Sequence, residues 1–282
     1  MRLHGVITAL VTPFSAGSID WAAWDALAER QLEAGVHGLV VCGTTGEKPT
    51  VSHHEWVALI ERTVDLAGGQ VPVIANCGTN VTAHTVEAVE QAAKLGADGA
   101  LVVFPYYNKP NAQGLRAHVE AACRPGLPVI AYHVPGRTAQ RLDTDALAEL
   151  CRIPGVVGLK EATGDMELMQ HLQELVEVSL LSGDDGVFPA LVAMGWDGVI
   201  SVLSNLAPRM TVQWYEAART GDVETLRSLR VRLMPVIRGL FETSNPVPAK
   251  AALAAMGLCS NELRLPLAPG VFRDESLLQG LA

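Results

Sequence analysis

The chain has 282 residues, 49% of them hydrophobic, and a formal net charge of −9. Such a length and apolar content can build one large core, whereas an acidic chain without a basic stripe is a poor candidate for nucleic-acid binding. No apolar stretch approaches the ~20 residues that a membrane span requires, so we expect neither a nucleic-acid nor a membrane partner.

The N-terminal segment is apolar but soon reaches Pro13, and it lacks the hydrophobic region and cleavage site of a signal peptide. We expect it to form the first strand. The five cysteines are widely spaced, odd in number and form no C-x-x-C pair. This pattern argues against a disulfide framework or a zinc site and for a reducing compartment, so we expect a cytoplasmic location.

Short runs rich in β-branched residues alternate with helical patterns along most of the chain. Glycines such as Gly35 and Gly96 end several of the helical patterns, which is typical of helix C-termini. The eight strand-like runs are Val6–Val11, Gly38–Cys42, Val71–Asn76, Ala100–Phe104, Leu127–Tyr132, Val156–Lys160, Val178–Ser182 and Gly198–Val202. The helical patterns include Trp21–Glu33, Trp56–Leu66, Thr82–Lys94 and Asp143–Leu150.

This alternation predicts an α/β fold with a parallel sheet. The runs are almost continuously apolar, as in strands that are buried on both faces. Eight such units fit a (β/α)8 TIM barrel. The alternative is an open doubly wound sheet, and it is less favoured because no G-x-G-x-x-G motif opens the first βα unit.

From about Arg209 onward the strand pattern stops, and helical patterns follow at Trp214–Thr220, Val223–Phe241 and Val247–Met256. We therefore expect a barrel over residues 1–208 and a C-terminal helical extension over residues 209–282.

Lys160 is the one lysine of five that ends a strand-like run. Lysines are almost never fully buried without a reason. A desolvated lysine has a lowered pKa and therefore more free amine, which is the nucleophile of Schiff-base chemistry. The alternative is a strand-end lysine that reaches solvent or pairs with Glu161.

Other polar residues collect at the predicted strand ends, where a β/α barrel has its active site. Gly43–Glu47 offers hydroxyls and backbone N–H groups suited to a carboxylate or oxyanion, or it is an ordinary turn. Tyr106, Tyr107 and Tyr132 could pass protons or form an aromatic rim.

Arg137 follows a Pro-Gly turn and could bind a carboxylate through two hydrogen bonds, or it could form a surface ion pair. The adjacent His53 and His54 have no spaced partner that would complete a metal site, so we predict no metal. His133, next to Tyr132, is more consistent with packing or with support of a catalytic neighbour than with catalysis itself.

Together, four motifs resemble those of the dihydrodipicolinate synthase family, and the similarity runs over essentially the whole chain. They are G-T-T-G-E at Gly43–Glu47, P-Y-Y-N at Pro105–Asn108, Y-x-V-P-x-R-T at Tyr132–Thr138 and G-x-K-E-A-T-G at Gly158–Gly164. Each motif alone would be weak, but four in this order are specific. The resemblance implies condensation of pyruvate with L-aspartate 4-semialdehyde to 4-hydroxy-tetrahydrodipicolinate, a step of lysine and diaminopimelate biosynthesis, without an organic cofactor or a metal.

The resemblance also implies individual roles. Lys160 would form an imine with the ketone of pyruvate, and Tyr132 would shuttle protons. Thr44 and Tyr107 would complete a hydroxyl relay. In the family the tyrosine at position 107 comes from a neighbouring subunit, which implies a homo-oligomer, a tetramer built as a dimer of dimers.

The same resemblance assigns four residues to substrate binding. Thr45 would hold the pyruvate carboxylate, and Arg137 would receive the carboxylate of aspartate semialdehyde. Gly183 and Ile200 would line the pyruvate pocket.

Two other functions compete with this one. One is another pyruvate-dependent aldolase, such as N-acetylneuraminate lyase or a 2-keto-3-deoxy sugar acid aldolase. Thr44 together with Arg137 favours the synthase, because sialic acid lyases usually carry serine at the first position and lack the arginine. The other is a catalytically silent sensor paralogue, but such a protein would be expected to have lost Lys160, Tyr132 or Thr44.

The chain departs from the family at several positions. His133 replaces the commoner asparagine. Lysine-inhibited members often have a small residue, a histidine and a glutamate where this chain has Lys48, Trp56 and His84. We therefore expect weak or absent inhibition by free lysine.

Overall fold

The structure is a computed structural model that describes residues 1–281. In chain order, its strands are β1 (Gly5–Ala9), β2 (Phe14–Ser15), β3 (Ser18–Ile19), β4 (Gly38–Val41), β5 (Val73–Asn76), β6 (Gly99–Val103), β7 (Val129–His133), β8 (Val156–Glu161), β9 (Ser179–Ser182) and β10 (Gly198–Ser201). Eight of them close into a barrel in the order β1-β10-β9-β8-β7-β6-β5-β4, and each neighbouring pair is parallel.

The helices are α1 (Trp21–Glu33), α2 (His53–Ala67), α3 (Thr82–Lys94), α4 (Ala112–Cys123), α5 (Pro135–Thr138), α6 (Thr144–Cys151), α7 (Met166–Leu175), α8 (Phe188–Ala193), α9 (Pro208–Thr220), α10 (Val223–Leu240) and α11 (Val247–Ala255). The predicted (β/α)8 barrel with helices at its C-terminal end is confirmed. All eight predicted runs form barrel strands, with ends that differ by a few residues.

Local sequence explains where several helices begin and end. The Ser52 hydroxyl accepts from the Glu55 N–H while the Glu55 carboxylate accepts from the Ser52 N–H, so a capping box starts α2. The helix ends at Gly68, whose φ of +52° lies in the left-handed region that glycine adopts readily. The side chain of Asp20 caps α1 in a similar way by accepting from the Ala23 N–H.

The barrel strands are buried on both faces, which accounts for their nearly continuous apolar sequence. Side chains alternate between the barrel interior and the helix layer. The interior cluster includes Ile7, Val40, Ile74, Leu101, Ile130, Tyr132, Leu181 and Ile200. The larger outer cores join the strands to the surrounding helices.

The helices α9, α10 and α11 follow the last barrel strand. We propose that residues 1–208 form the barrel and that residues 209–282 form a C-terminal helical region. Ala282 lies outside the described residues. The sequence did not indicate the β2–β3 hairpin, because each strand has only two residues. Within residues 1–281, no helix combines the length and the apolarity that crossing a membrane would require.

Candidate active site

A cavity of about 670 Å³ opens at the carboxyl ends of the barrel strands. Thr44, Thr45, Tyr132, Lys160 and Gly183 line it from the barrel, directly after or at the ends of their strands. The opposite wall comes from helix α10 and the residue that follows it. The residues of that wall are Met234, Ile237, Arg238 and Phe241. We call this space the main cavity.

Lys160 and Tyr132 lie next to each other in the lining of the main cavity. They are paired in register on the neighbouring strands β8 and β7, and the Lys160 Nζ lies 4.3 Å from the centroid of the Tyr132 ring. Both residues are only 7% exposed. A primary amine therefore lies beside a phenol, and both side chains are largely shielded from solvent, which is a setting suited to imine chemistry.

Glu161 is not the partner of Lys160. Adjacent residues of a strand point to opposite faces, and the fully buried Glu161 carboxylate accepts from His133 Nδ1 at 3.0 Å. It also accepts from the Thr163 hydroxyl at 2.8 Å. The structure thus contradicts the alternative in which Lys160 and Glu161 form an ion pair.

Gly183 leaves the space that the Lys160 side chain occupies. A Cβ atom at Gly183 would lie 2.6 Å from the Ala162 Cβ and 3.0 Å from the Lys160 Cε. The first distance is shorter than non-bonded carbon atoms tolerate. Glycine is therefore required here for close approach rather than for its backbone conformation.

The two threonines of the loop after β4 lie on the wall of the main cavity. Thr45 is buried, and its Oγ1 accepts from Asn245 Nδ2 at 2.9 Å. Thr44 is half-buried and also lines a smaller cavity of about 250 Å³, together with Lys48, Asn76 and other residues. We call this second space the side cavity. Thr44 thus lies at the boundary between the main cavity and the side cavity.

Arg137 lies on the short helix α5 and borders both cavities. Its Nη2 donates to the Asn245 carbonyl at 3.0 Å, which is the one hydrogen bond of this side chain within residues 1–281. A guanidinium has five N–H donors, so this contact uses only a small part of the hydrogen-bonding capacity of Arg137.

Asn245 contacts both Thr45, through its side-chain amide, and Arg137, through its backbone carbonyl. It thus joins two predicted substrate-binding residues.

Two predicted site residues lie apart from this group. Ile200 is 1% exposed and belongs to the apolar barrel interior with Tyr132, outside the lining of the main cavity. Tyr107 is 90% exposed, and its φ of +71° lies in the left-handed region. It borders neither the main cavity nor the side cavity.

A second buried lysine was not anticipated from the sequence. Lys250 Nζ lies 2.8 Å from Glu47 Oε1 and donates to the Thr12 carbonyl at 2.9 Å. Burial lowers the pKa of Lys250, although Glu47 opposes this shift. The acidic residue of the G-T-T-G-E motif thus supports the loop that carries Thr44 and Thr45 rather than facing the main cavity.

The side cavity contains a further amine. Lys48 Nζ lies 4.7 Å from the ring centroid of Trp56, and burial lowers the pKa of Lys48. The Trp56 indole N–H donates to the Asn76 carbonyl at 3.2 Å. Among the described residues, no group of three His, Cys, Asp or Glu side chains is arranged to hold a metal ion, and all five cysteines are free thiols.

The fold and this site define a class of (β/α)8 barrels that carry a buried lysine amine at the carboxyl-terminal face. Comparison with protein families matches residues 2–276 to the Dihydrodipicolinate synthetase family. The chain therefore belongs to that family.

Individual relatives agree over nearly the full length. The 4-hydroxy-tetrahydrodipicolinate synthase of Phenylobacterium zucineum is 45% identical over 269 residues, covering 94% of this chain and 92% of the relative. A crystal structure of dihydrodipicolinate synthase from Thermotoga maritima has a TM-score of 0.95 and 41% identity, with 100% and 98% of the two chains covered. The chloride-inhibited enzyme of Acinetobacter baumannii, solved with pyruvate, has a TM-score of 0.92 and 38% identity, covering 99% and 97%.

Proposed function

We propose that this protein is a 4-hydroxy-tetrahydrodipicolinate synthase, a lyase that condenses pyruvate with L-aspartate 4-semialdehyde. The observation that carries this proposal is the buried Lys160 amine, 4.3 Å from the Tyr132 ring, at the mouth of a barrel of this family. The names of the curated relatives support the same activity.

The chemistry begins at Lys160. Its amine attacks the ketone carbon of pyruvate, and loss of one water leaves an imine. Loss of a proton from the methyl group gives an enamine, which is a carbon nucleophile. The enamine attacks the aldehyde of the second substrate, and the new alkoxide takes up a proton. The amine of the second substrate then displaces Lys160 from the imine carbon and closes the ring.

The proposed relay consists of Tyr132, Thr44 and Tyr107. Each proton transfer to or from the nitrogen and the new hydroxyl requires a group within hydrogen-bonding distance. The position of Tyr132 beside the Lys160 amine supports its part in this relay. The place of Thr44 at the boundary of the two cavities supports a link between Tyr132 and a residue from outside the chain.

The anionic groups of both substrates have proposed sites. Thr45 and the backbone N–H groups beside it would hold the carboxylate of pyruvate. Arg137, at the opening, would bind the carboxylate of the aldehyde substrate through charge-assisted hydrogen bonds. Gly183 would leave space for the imine, and Ile200 would support it from the barrel interior.

We further propose that the protein acts as a homotetramer, a dimer of dimers, in which Tyr107 reaches the site of a neighbour. The 90% exposure of this tyrosine in a single chain supports the proposal, because large aromatic side chains at that exposure are common at interfaces. A cytoplasmic location is proposed from the five free cysteines.

The test is covalent trapping followed by an aldehyde panel. Borohydride in the presence of pyruvate should fix a three-carbon adduct on Lys160, as mapped by peptide mass spectrometry. Lys250 serves as an internal control, because it is also buried but is held by Glu47. An adduct elsewhere, or none, would overturn the Schiff-base mechanism.

The panel decides the substrate. Initial rates with pyruvate are compared for aspartate semialdehyde, N-acetylmannosamine and glyceraldehyde. We expect the highest kcat/KM for aspartate semialdehyde. A preference for either sugar aldehyde would instead establish one of the related aldolase activities.

A further inference from the structure

We propose that His133 is a positioning residue that ties the Arg137-bearing segment to the end of strand β8, next to Lys160. The kinetic part of this inference rests on the proposed function. The geometric part rests on the hydrogen bonds of one fully buried imidazole.

His133 is the last residue of β7 and is paired in register with Glu161, the last residue of β8. Both side chains are fully buried. The two residues before them in the chain, Tyr132 and Lys160, point into the main cavity. The contact between His133 and Glu161 thus lies behind the catalytic pair, on the helix-facing side of the same two strands.

The hydrogen bonds determine the protonation state of the imidazole. The backbone N–H of Leu142 donates to His133 Nε2 at 3.2 Å, so Nε2 must carry a lone pair. The ring is therefore neutral, and its proton is on Nδ1, which donates to Glu161 Oε1 at 3.0 Å. An imidazolium ring would lose the bond from Leu142, because both of its nitrogens are donors.

Glu161 is held firmly at the other end of this link. Its carboxylate accepts the Thr163 N–H with both oxygens, each at 3.1 Å, and the Thr163 hydroxyl at 2.8 Å. A buried carboxylate that accepts several hydrogen bonds is a rigid anchor, because giving up any of them leaves a desolvated polar group. The His133 ring also packs beside Phe104, with ring centroids 6.0 Å apart.

The chain segment that carries Arg137 is held at both of its ends by His133. His133 fixes two points of the chain, its own backbone in β7 and the backbone of Leu142 through Nε2. Arg137 lies between them, on the short helix α5. The imidazole therefore holds the segment that carries the guanidinium close to the end of β8, the strand that carries Lys160. We infer that this link sets the distance at which the second carboxylate is held from the reacting carbon.

Two substitutions separate the two hydrogen bonds. The amide of His133→Asn can replace Nδ1 as the donor to Glu161 but cannot reach Leu142. The amide oxygen of His133→Gln can replace Nε2 as the acceptor from Leu142 but gives up the bond to Glu161. Each variant therefore breaks the link at one of its two ends.

For His133→Asn we expect KM for the aldehyde to rise about 3- to 10-fold, the effect of one lost hydrogen bond. KM for pyruvate and the rate of trapping on Lys160 should not change. For His133→Gln we expect a rise of about 3- to 10-fold as well, since loss of the Glu161 bond releases the link at its β8 end. The matched control is His118→Asn, which changes another buried histidine, on α4 and outside the cavity lining.

A double-mutant cycle with Arg137→Ala shows whether the effect passes through Arg137. If it does, adding His133→Asn to Arg137→Ala should not raise the aldehyde KM further. An additive increase, an unchanged aldehyde KM in His133→Asn or an equal rise in pyruvate KM would overturn the proposal. An unchanged aldehyde KM in His133→Gln would overturn the proposal as well, and this outcome keeps the test decisive if His133→Asn does not fold.

A measurement without substrate separates this proposal from the proposed function. Imidazole ¹⁵N NMR of the native protein should show Nδ1 protonated and Nε2 unprotonated at His133, and the opposite tautomer or a charged ring would refute the proposed link. Failure to trap pyruvate on Lys160 in the native protein would refute the function but leave this NMR result unaffected.

Discussion

The amine of Lys250 lies 2.8 Å from Oε1 of Glu47, and neither side chain is exposed to solvent. The pair connects helix α11 to the loop that carries Thr44 and Thr45. The second oxygen of Glu47 accepts from the Arg264 backbone N–H at 3.1 Å, so the carboxylate also binds the segment after α11.

Lys250→Met should strongly destabilise the protein. It leaves the buried Glu47 carboxylate without a cation, and breaking a buried pair in this way costs about 3–5 kcal/mol. The free energy of unfolding from urea denaturation measures the loss. The double variant Lys250→Met with Glu47→Gln should recover part of the stability because it removes the unpaired charge. A single variant as stable as the native protein would show that the carboxylate finds another partner or a proton.

Gly183→Ala should disturb the Lys160 side chain. The new methyl group would lie 3.0 Å from Lys160 Cε and 2.6 Å from Ala162 Cβ, so one of them must move. A displacement of this kind at a reacting group can cost about 100-fold in rate. The rate of borohydride trapping with pyruvate measures the effect, and thermal unfolding checks that the fold persists. Normal trapping would mean that the chain adjusts around the methyl group without moving the amine.

Arg137→Ala should chiefly damage use of the aldehyde. Arg137 is exposed in the single chain, and loss of its charge-assisted hydrogen bonds to a carboxylate should cost about 1.5–3 kcal/mol in kcat/KM for the aldehyde. Trapping of pyruvate on Lys160 should survive. The control is Arg141→Ala, which removes a nearby arginine that is paired with Asp165 at the surface. Near-normal aldehyde kinetics in Arg137→Ala would favour a sugar-acid aldolase.

Tyr107 should act on the site of a neighbouring subunit. Tyr107→Phe keeps the ring and removes the hydroxyl, so the rate should fall while the oligomer persists. Mixed oligomers of Tyr107→Phe and Lys160→Ala subunits should regain activity, because some sites then combine a native lysine with a native tyrosine. Activity and native mass spectrometry are measured on the same samples. Absence of recovery in verified mixed oligomers would argue that each site is built within one chain.

Free L-lysine should inhibit weakly or not at all. Lys48 places its own ammonium 4.7 Å from the Trp56 ring, so the aromatic face that could attract an effector is taken. A like charge at this point also disfavours a cationic ligand. Initial velocities at saturating pyruvate and millimolar lysine test this expectation. Strong inhibition would show that lysine binds despite Lys48.

The triple variant Lys48→Ser, Trp56→His and His84→Glu provides the converse experiment. It introduces the residue types that lysine-inhibited members of the family often carry at these three positions. Inhibition should increase relative to the native chain. A triple variant as insensitive as the native chain would show that other residues decide the response.

The barrel was predictable because each βα unit carries its own local signals. Strand-like runs, glycine helix ends and polar residues after the strands all lie close together in sequence. Once the barrel is assumed, these signals bring Lys160, Tyr132, Thr44 and Thr45 to one face without knowledge of side-chain contacts. The opposite orientation of Glu161 also follows from strand geometry, since neighbouring residues alternate.

The remaining features depend on contacts that local sequence does not encode. Lys250 and Glu47 are 203 residues apart, and Asn245 and Thr45 are 200 apart. Nothing in the composition of the segment around Lys250 indicates that its side chain is buried. The bond from Leu142 to His133 likewise depends on how a loop folds back onto a strand end.

The wall formed by α10 can vary in sequence separately from the barrel strands that carry Lys160 and Tyr132. Met234, Ile237, Arg238 and Phe241 recur at the spacing of one helix face, and none of them belongs to a barrel strand. Substitutions on this face that keep the core packing of Ile237 would reshape the main cavity while leaving the residues of the barrel strands unchanged. Natural variation, or a combinatorial library at these positions, can thus change which electrophile the enzyme accepts while the same barrel is kept.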